Sequence, residues 1–133
     1  MGSLIDTSVL IAAEGGGLDL EQLLATFPDE DWTISSVTVS EILHGVLRSA
    51  LPAKRARRLA FAEETIQRFE VLAFDLSAAR AHAEIWAELA RRGRMVGERD
   101  LLIAATAISR NYAVATRDLR SFPTIPGLRV LTV

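Results

Sequence analysis

Ser3-Leu4-Ile5-Asp6-Thr7-Ser8-Val9-Leu10-Ile11-Ala12-Ala13 is the stretch on which the fold turns. Its first three residues suit a short strand, and residues 7–13 read as a short helix. Asp6 stands at the joint. An aspartate there is a good helix N-cap, because its carboxylate accepts a backbone N–H that the first turn leaves without an intrahelical partner. A strand, an acid and a helix are thus read from eleven residues.

The same alternation continues along the chain. Further strand candidates are residues 32–35, 71–74, 112–115 and 129–132. Between them, Asp19 with Gln22 makes a capping-box start for a second helix. Val39, Ile42, Leu43, Val46 and Leu47 recur at helical spacing within residues 37–49, which predicts a helix with one buried face. Pro52 is placed to open the next helix, through about Phe69, since its missing N–H is an orphan in a first turn anyway. Residues 78–92 and 100–110 complete the helical set. Short apolar segments separated by helices are the mark of a parallel sheet covered by helices. One α/β domain spanning residues 1–133 is expected, with a central, mostly parallel sheet of four to five strands. The run Gly15, Gly16 and Gly17 lacks the spacing of a dinucleotide fingerprint and the ending of a phosphate-binding loop, so it reads as punctuation between helices.

Composition narrows the function classes. A chain of 133 residues suits one hydrophobic core. The longest near-continuous apolar run, from Leu101 to Ile108, is far short of a membrane span. The N-terminus carries neither a signal-peptide pattern nor a myristoylation motif, and a cytoplasmic protein is expected. With no cysteine, disulfides, thiolate metal sites and cysteine nucleophiles are excluded.

Four acids fall at comparable places. Asp6 follows the first strand; Glu41 lies in the first turns of the helix after the second, where Thr38-Val-Ser-Glu41 matches a capping box; Asp100 opens the last helix; Asp118 follows the strand of residues 112–115. Taken singly, each has a structural reading as a cap, a dipole partner or a turn residue. Together they weigh differently, because a parallel sheet gathers the ends of its strands along one edge, where ligands of open α/β sheets bind. Two carboxylates about 5 Å apart repel by roughly 3 kcal/mol at an effective dielectric near 20, so a cluster of four calls for protons or a cation. Oxygen-only ligands favour a hard ion, Mg²⁺ or Mn²⁺. The formal charge of −2 conceals this arrangement: with the four acids set aside, 15 basic residues face 13 of the 17 acidic ones, an acidic spot on a mildly basic body.

At these residues the sequence resembles the PIN-domain family and, within it, the VapC-type toxins of toxin–antitoxin pairs. The matching stretches are Leu4-Ile-Asp6-Thr-Ser-Val-Leu10, Ser36-Val-Thr-Val-Ser-Glu41-Ile-Leu-His-Gly45, Asp100-Leu-Leu-Ile-Ala-Ala105 and Thr116-Arg-Asp118 with Phe122. Their order and spacing cover nearly the whole chain. The resemblance implies a three-layer PIN-like fold and a metal-dependent endoribonuclease. Asp6, Glu41, Asp100 and Asp118 would form the acidic metal site, with Thr116 as a hydrogen-bonding helper. It also implies a small VapB-type antitoxin and a homodimer. Many relatives carry another acid three residues after the Asp118 position, where this chain has Ser121. An alternative is a PIN-like module that binds RNA or protein without turnover.

The remaining charged residues are weighed against plainer readings. Lys54, Arg55, Arg57 and Arg58 read as a solvated face. Arg91, Arg92, Arg94 and Arg99 lead towards Asp100, and Arg94, Arg99 and Arg117 are the candidates for holding a substrate phosphate. His44, one turn from Glu41, reads as hydrogen-bonded on a helix flank, and His82 as packed. Haloacid-type phosphatases need an Asp where this chain has Ser8, and receiver domains need paired acids in the first loop, which are missing. The chemistry expected is metal-assisted hydrolysis of a phosphodiester, and that the substrate is RNA is what the resemblance implies.

Overall fold

The computed structural model describes residues 1–133. In chain order the elements are β1 (Gly2–Ile5), α1 (Thr7–Glu14), α2 (Leu20–Thr26), β2 (Asp31–Ser35), α3 (Ser36–Arg48), α4 (Pro52–Arg68), β3 (Glu70–Leu72), α5 (Leu76–Arg91), α6 (Glu98–Ser109), β4 (Ala113–Thr116), a 3-10 turn at Phe122–Thr124, and β5 (Val130–Thr132). The five strands form one sheet in the order β3-β2-β1-β4-β5, and every neighbouring pair is parallel, so the sheet is fully rather than mostly parallel.

β1 is buried along its whole length, as a central strand covered on both faces must be. Successive side chains of a strand point to opposite faces. Leu4 accordingly joins the core under α5 and α6, with Ile85, Leu89, Ile103, Val114 and Phe122, whereas Ile5 joins a second core with Val9, Leu10, Ile34 and Phe69. Three layers result. α3 stands at the boundary, with Val37 against the first core and Val39 against the second.

The chain leaves β1 towards β2 on one side and leaves β4 towards β5 on the other, which makes the β1/β4 junction the switch point of the sheet. The crevice at the carboxyl ends of such strands is where open α/β folds take ligands.

Several boundaries differ from the sequence-based expectation, each for a local reason. β3 ends at Leu72 instead of reaching Phe74: only Glu70, Val71 and Leu72 pair with β2, after which Asp75 caps α5 by accepting from Ala78 N at 3.0 Å. α3 starts at Ser36 because the Ser35 hydroxyl, at the end of β2, accepts from Val37 N at 2.8 Å. Thr38 is then inside the helix and buried, so the expected Thr38–Glu41 capping box does not form. β4 runs one residue further than expected, to Thr116, and α6 opens at Glu98, leaving Asp100 within its first turn. α2 does begin on Asp19, whose carboxylate accepts from Gln22 N at 3.1 Å.

The first basic cluster is not merely a solvated face. Arg55 donates to the Ser49 and Leu47 carbonyls at 3.0 and 3.2 Å, and Arg58 donates to the Gly45 carbonyl and the Ser49 hydroxyl at 3.2 and 3.0 Å. The three carbonyls are ones that the end of α3 leaves without helical N–H partners. Two arginines of α4 therefore fasten α3, and Arg58 also stands 3.5 Å from Glu14 of α1.

Phe122, the first residue of the 3-10 turn, is fully buried in the core that α6 covers. Its replacement by Ala should cost about 3–5 kcal/mol through lost burial and a residual cavity. Urea denaturation measures this as a lowered midpoint with an unchanged slope.

Candidate functional site

The register of β1 with β4 places Ile5 beside Ala115, and one residue further the paired positions are Asp6 and Thr116. Asp6 N donates to the Ala115 carbonyl at 2.9 Å, extending the ladder by one bond. The Asp6 carboxylate is buried, and its Oδ2 accepts three hydrogen bonds, from the hydroxyls of Ser8 at 2.7 Å and Thr116 at 2.9 Å and from Ser8 N at 3.4 Å. Asp6 is both an N-cap and the fixed floor of the site. Thr116 is fully buried, and its Oγ1 also accepts from Asp118 N at 2.8 Å, which ties the loop after β4 to the same point. Asp118 Oδ1 in turn accepts from Arg120 N and Ser121 N, at 2.9 and 3.3 Å.

Glu41 reaches the site from the second turn of α3. Thr7 donates from its hydroxyl to Glu41 Oε1 at 2.8 Å, and buried Thr38 lies 3.0 Å from the same Thr7 hydroxyl. Asp100 comes from the start of α6 and is half-buried. Its carboxyl is pushed up to about 6, first by burial and then by the negative charges of Asp6, Asp118 and Glu41, with the Ser121 side chain acting in the opposite sense. The charges of the other three acids thus all reach Asp100, although the four come from separate places in the chain. No three of them are drawn together tightly enough to grip one ion in this arrangement. Together they make an acidic pocket, and the donor set is oxygen throughout.

The three candidate phosphate-binding arginines fall in different places. Arg99 borders a cleft that includes Thr7 and Glu41, next to the pocket. Arg117 is turned to the glycine run and donates to the Gly17 carbonyl at 3.2 Å. Arg94 lies on the α5–α6 turn, lining an apolar groove with Trp86 and Met95. The sequence order Arg91 to Arg99 therefore does not become one basic surface: Arg91 and Arg92 are held by Glu88. His82 packs between Phe74 and Trp86, as its spacing suggests, at ring-centroid distances of 5.8 and 5.4 Å. His44 is exposed and makes no hydrogen bond; it lines the cleft beside Glu41.

A buried aspartate at the switch point of a five-stranded parallel sheet, joined by acids from α3, α6 and the loop after β4, agrees with what comparison finds. Residues 3–128 match the PIN domain. The chain belongs to the PIN-domain family. Ribonuclease VapC1 of Rickettsia felis is 36% identical over 139 residues, covering all of this chain and 97% of that one. The tRNA(fMet)-specific endonuclease VapC of Salmonella typhimurium is 45% identical over 97 residues, 73% of this chain and 71% of its own. Among solved structures, DNA-bound VapBC from Salmonella typhimurium aligns with a TM-score of 0.89 at 35% identity, covering 99% of this chain and 98% of that one. Within the family this PIN domain is of the VapC ribonuclease type.

The hydroxyls of Thr7, Ser8 and Thr38 are the residues of the pocket that sequence reasoning passes over. Thr7 and Ser8 sit directly after Asp6, and a polar pair in the first turn of an otherwise apolar helix is the signal that could have found them.

Because the folded protein raises the Asp100 carboxyl from 3.8 to about 6, the native state holds its proton more tightly than the unfolded chain does. Stability of the metal-free protein should therefore fall as pH rises through that interval. Asp100→Asn should remove this slope and add about 1 kcal/mol at neutral pH, once solvent screening of a half-buried group is allowed for. Denaturant titrations in chelator across the interval give both quantities.

Proposed function

We propose that this VapC-type ribonuclease hydrolyses RNA phosphodiester bonds internally at the pocket of Asp6, Glu41, Asp100 and Asp118, with one or two Mg²⁺ ions, or Mn²⁺, as cofactor. The observation that carries this reading is the gathering of Asp6, Glu41 and Asp118 about the half-buried Asp100 at the switch point of the sheet, with none of the four ion-paired to a basic side chain. Such a site is stabilised by a cation, and its oxygen-only donors suit a hard one. A bound divalent ion would lower the pKa of the attacking water and take up negative charge developing on the phosphate.

The protein's own part is positioning. Ser8 and Thr116 donate to one oxygen of Asp6 and hold its carboxylate at a set angle. Thr7 does the same for Glu41, and two backbone N–H groups do so for Asp118. In the overall step the water oxygen bonds to phosphorus, the ester bond to the leaving sugar oxygen breaks, and that oxygen takes up a proton.

As in the VapBC complex of Salmonella typhimurium, the partner proposed is a small VapB-type antitoxin, here one that covers the pocket. A homodimer is proposed from the same family resemblance, to be read by light scattering. Proteins that bind RNA without cutting it in either metal would favour a binding module instead.

Asp6→Asn keeps the N-cap, since Asn caps about as well as Asp. It should abolish cleavage of labelled RNA and the rise in melting temperature on adding Mg²⁺, while leaving the metal-free protein at least as stable. Full activity with an unchanged metal-induced rise would remove Asp6 from the site. Ser8→Ala, which loses only the hydroxyl that orients Asp6, should reduce metal affinity or activity by about 10–100-fold, the usual effect of losing a ligand's supporting hydrogen bond. Calorimetric metal titration beside a cleavage assay measures both.

A further inference from the structure

A cleft of about 530 Å³ opens beside the acidic pocket and runs between α1 and α3. Thr7, Ile11 and Glu14 form one wall, each about one helical turn below the last. Glu41, His44 and Arg48 form the other at the same repeat. Arg48 lies seven residues beyond Glu41, about 10 Å along the helix at 1.5 Å per residue.

The charges lining this cleft are unequal. Glu14 is matched by Arg58, 3.5 Å away. Arg99 at the mouth and Arg48 at the far end have no carboxylate partner. A basic residue in the last turn of a helix ordinarily serves the terminal carbonyls. Here Arg55 and Arg58 already occupy those of Gly45, Leu47 and Ser49, so the Arg48 guanidinium is left over. Ile11 is 63% exposed on the opposite wall, an apolar surface against which a base can pack.

We infer that the cleft between α1 and α3 is the track along which single-stranded RNA leaves the acidic pocket, its phosphates held by Arg99 at the mouth and Arg48 at the end. This rests on the reading of the pocket as an RNA-cleaving site. Two unpaired guanidinia spaced along an open channel suit a chain of phosphates, which accept paired hydrogen bonds from arginine. An unstacked base fills the apolar side of the same channel.

The test uses the Asp6→Asn protein, which leaves RNA uncut, and a labelled single-stranded RNA followed by fluorescence anisotropy over a range of salt. Adding Arg48→Gln should weaken binding roughly tenfold, the size of one lost hydrogen bond between charged groups. It should also lower the salt slope by about 0.7, the release expected for one phosphate of a single strand. Arg57→Gln, on α4 outside the cleft, should change neither. Unchanged affinity and slope for Arg48→Gln, or an equal loss for Arg57→Gln, would overturn the track while wild-type cleavage still upheld the reading of the pocket. Retained RNA affinity with weakened antitoxin binding would assign the cleft to the protein partner and likewise overturn it. Wild-type protein that neither binds nor cuts RNA would overturn both.

Discussion

A single hydrogen bond, from Asp6 N to the Ala115 carbonyl at 2.9 Å, continues the pairing of β1 with β4 past the end of β1, and the site is arranged around it. The register puts a buried carboxylate beside a buried threonine hydroxyl. From that pair the hydrogen bonds spread outward, through Ser8 to α1 and through the backbone of Asp118 to the loop after β4. A slip of one residue would turn every side chain of β1 to the other face, exchanging Leu4 and Ile5 between the two cores. The two hydrophobic layers therefore guard the register, and the register holds the site.

The pocket is a local cost that the rest of the fold offsets. Gathering like charges where burial also disfavours ionisation raises the Asp100 carboxyl and works against folding at neutral pH. The opposing contribution comes from fully buried apolar side chains beneath it, among them Leu4, Ile5, Ile103, Val114 and Phe122. Functional sites are commonly places where a local rule is broken and compensated elsewhere. Here the compensating residues lie within a few positions of the acids they support.

The strand–acid–helix pattern at Asp6 is legible in the sequence because the apolar period changes there from two to about three and a half within a few residues. Four acids at equivalent joints follow from the same reading. The helix boundaries are less legible, since the choice between Ser35 and Thr38 as the cap of α3 depends on where β2 stops pairing, a tertiary matter. The basic residues are least legible. Linear order groups Arg55 with Arg57, and Arg94 with Arg99, yet in space Arg55 serves helix carbonyls while Arg94 and Arg99 face different grooves. Charge runs carry little information about direction, because consecutive helical positions are turned about 100° from one another.

In three of the four acids of the pocket the hydrogen bonds fall on a single oxygen of the carboxylate. Asp6 is tethered through Oδ2, Asp118 through Oδ1 and Glu41 through Oε1, which leaves Oδ1, Oδ2 and Oε2 without a protein partner. A carboxylate anchored through one oxygen cannot turn freely, so its second oxygen is held in a set direction. The tethers thus fix in advance which oxygen of Asp6, Asp118 and Glu41 is free to meet a ligand, by restricting how these three side chains can rotate.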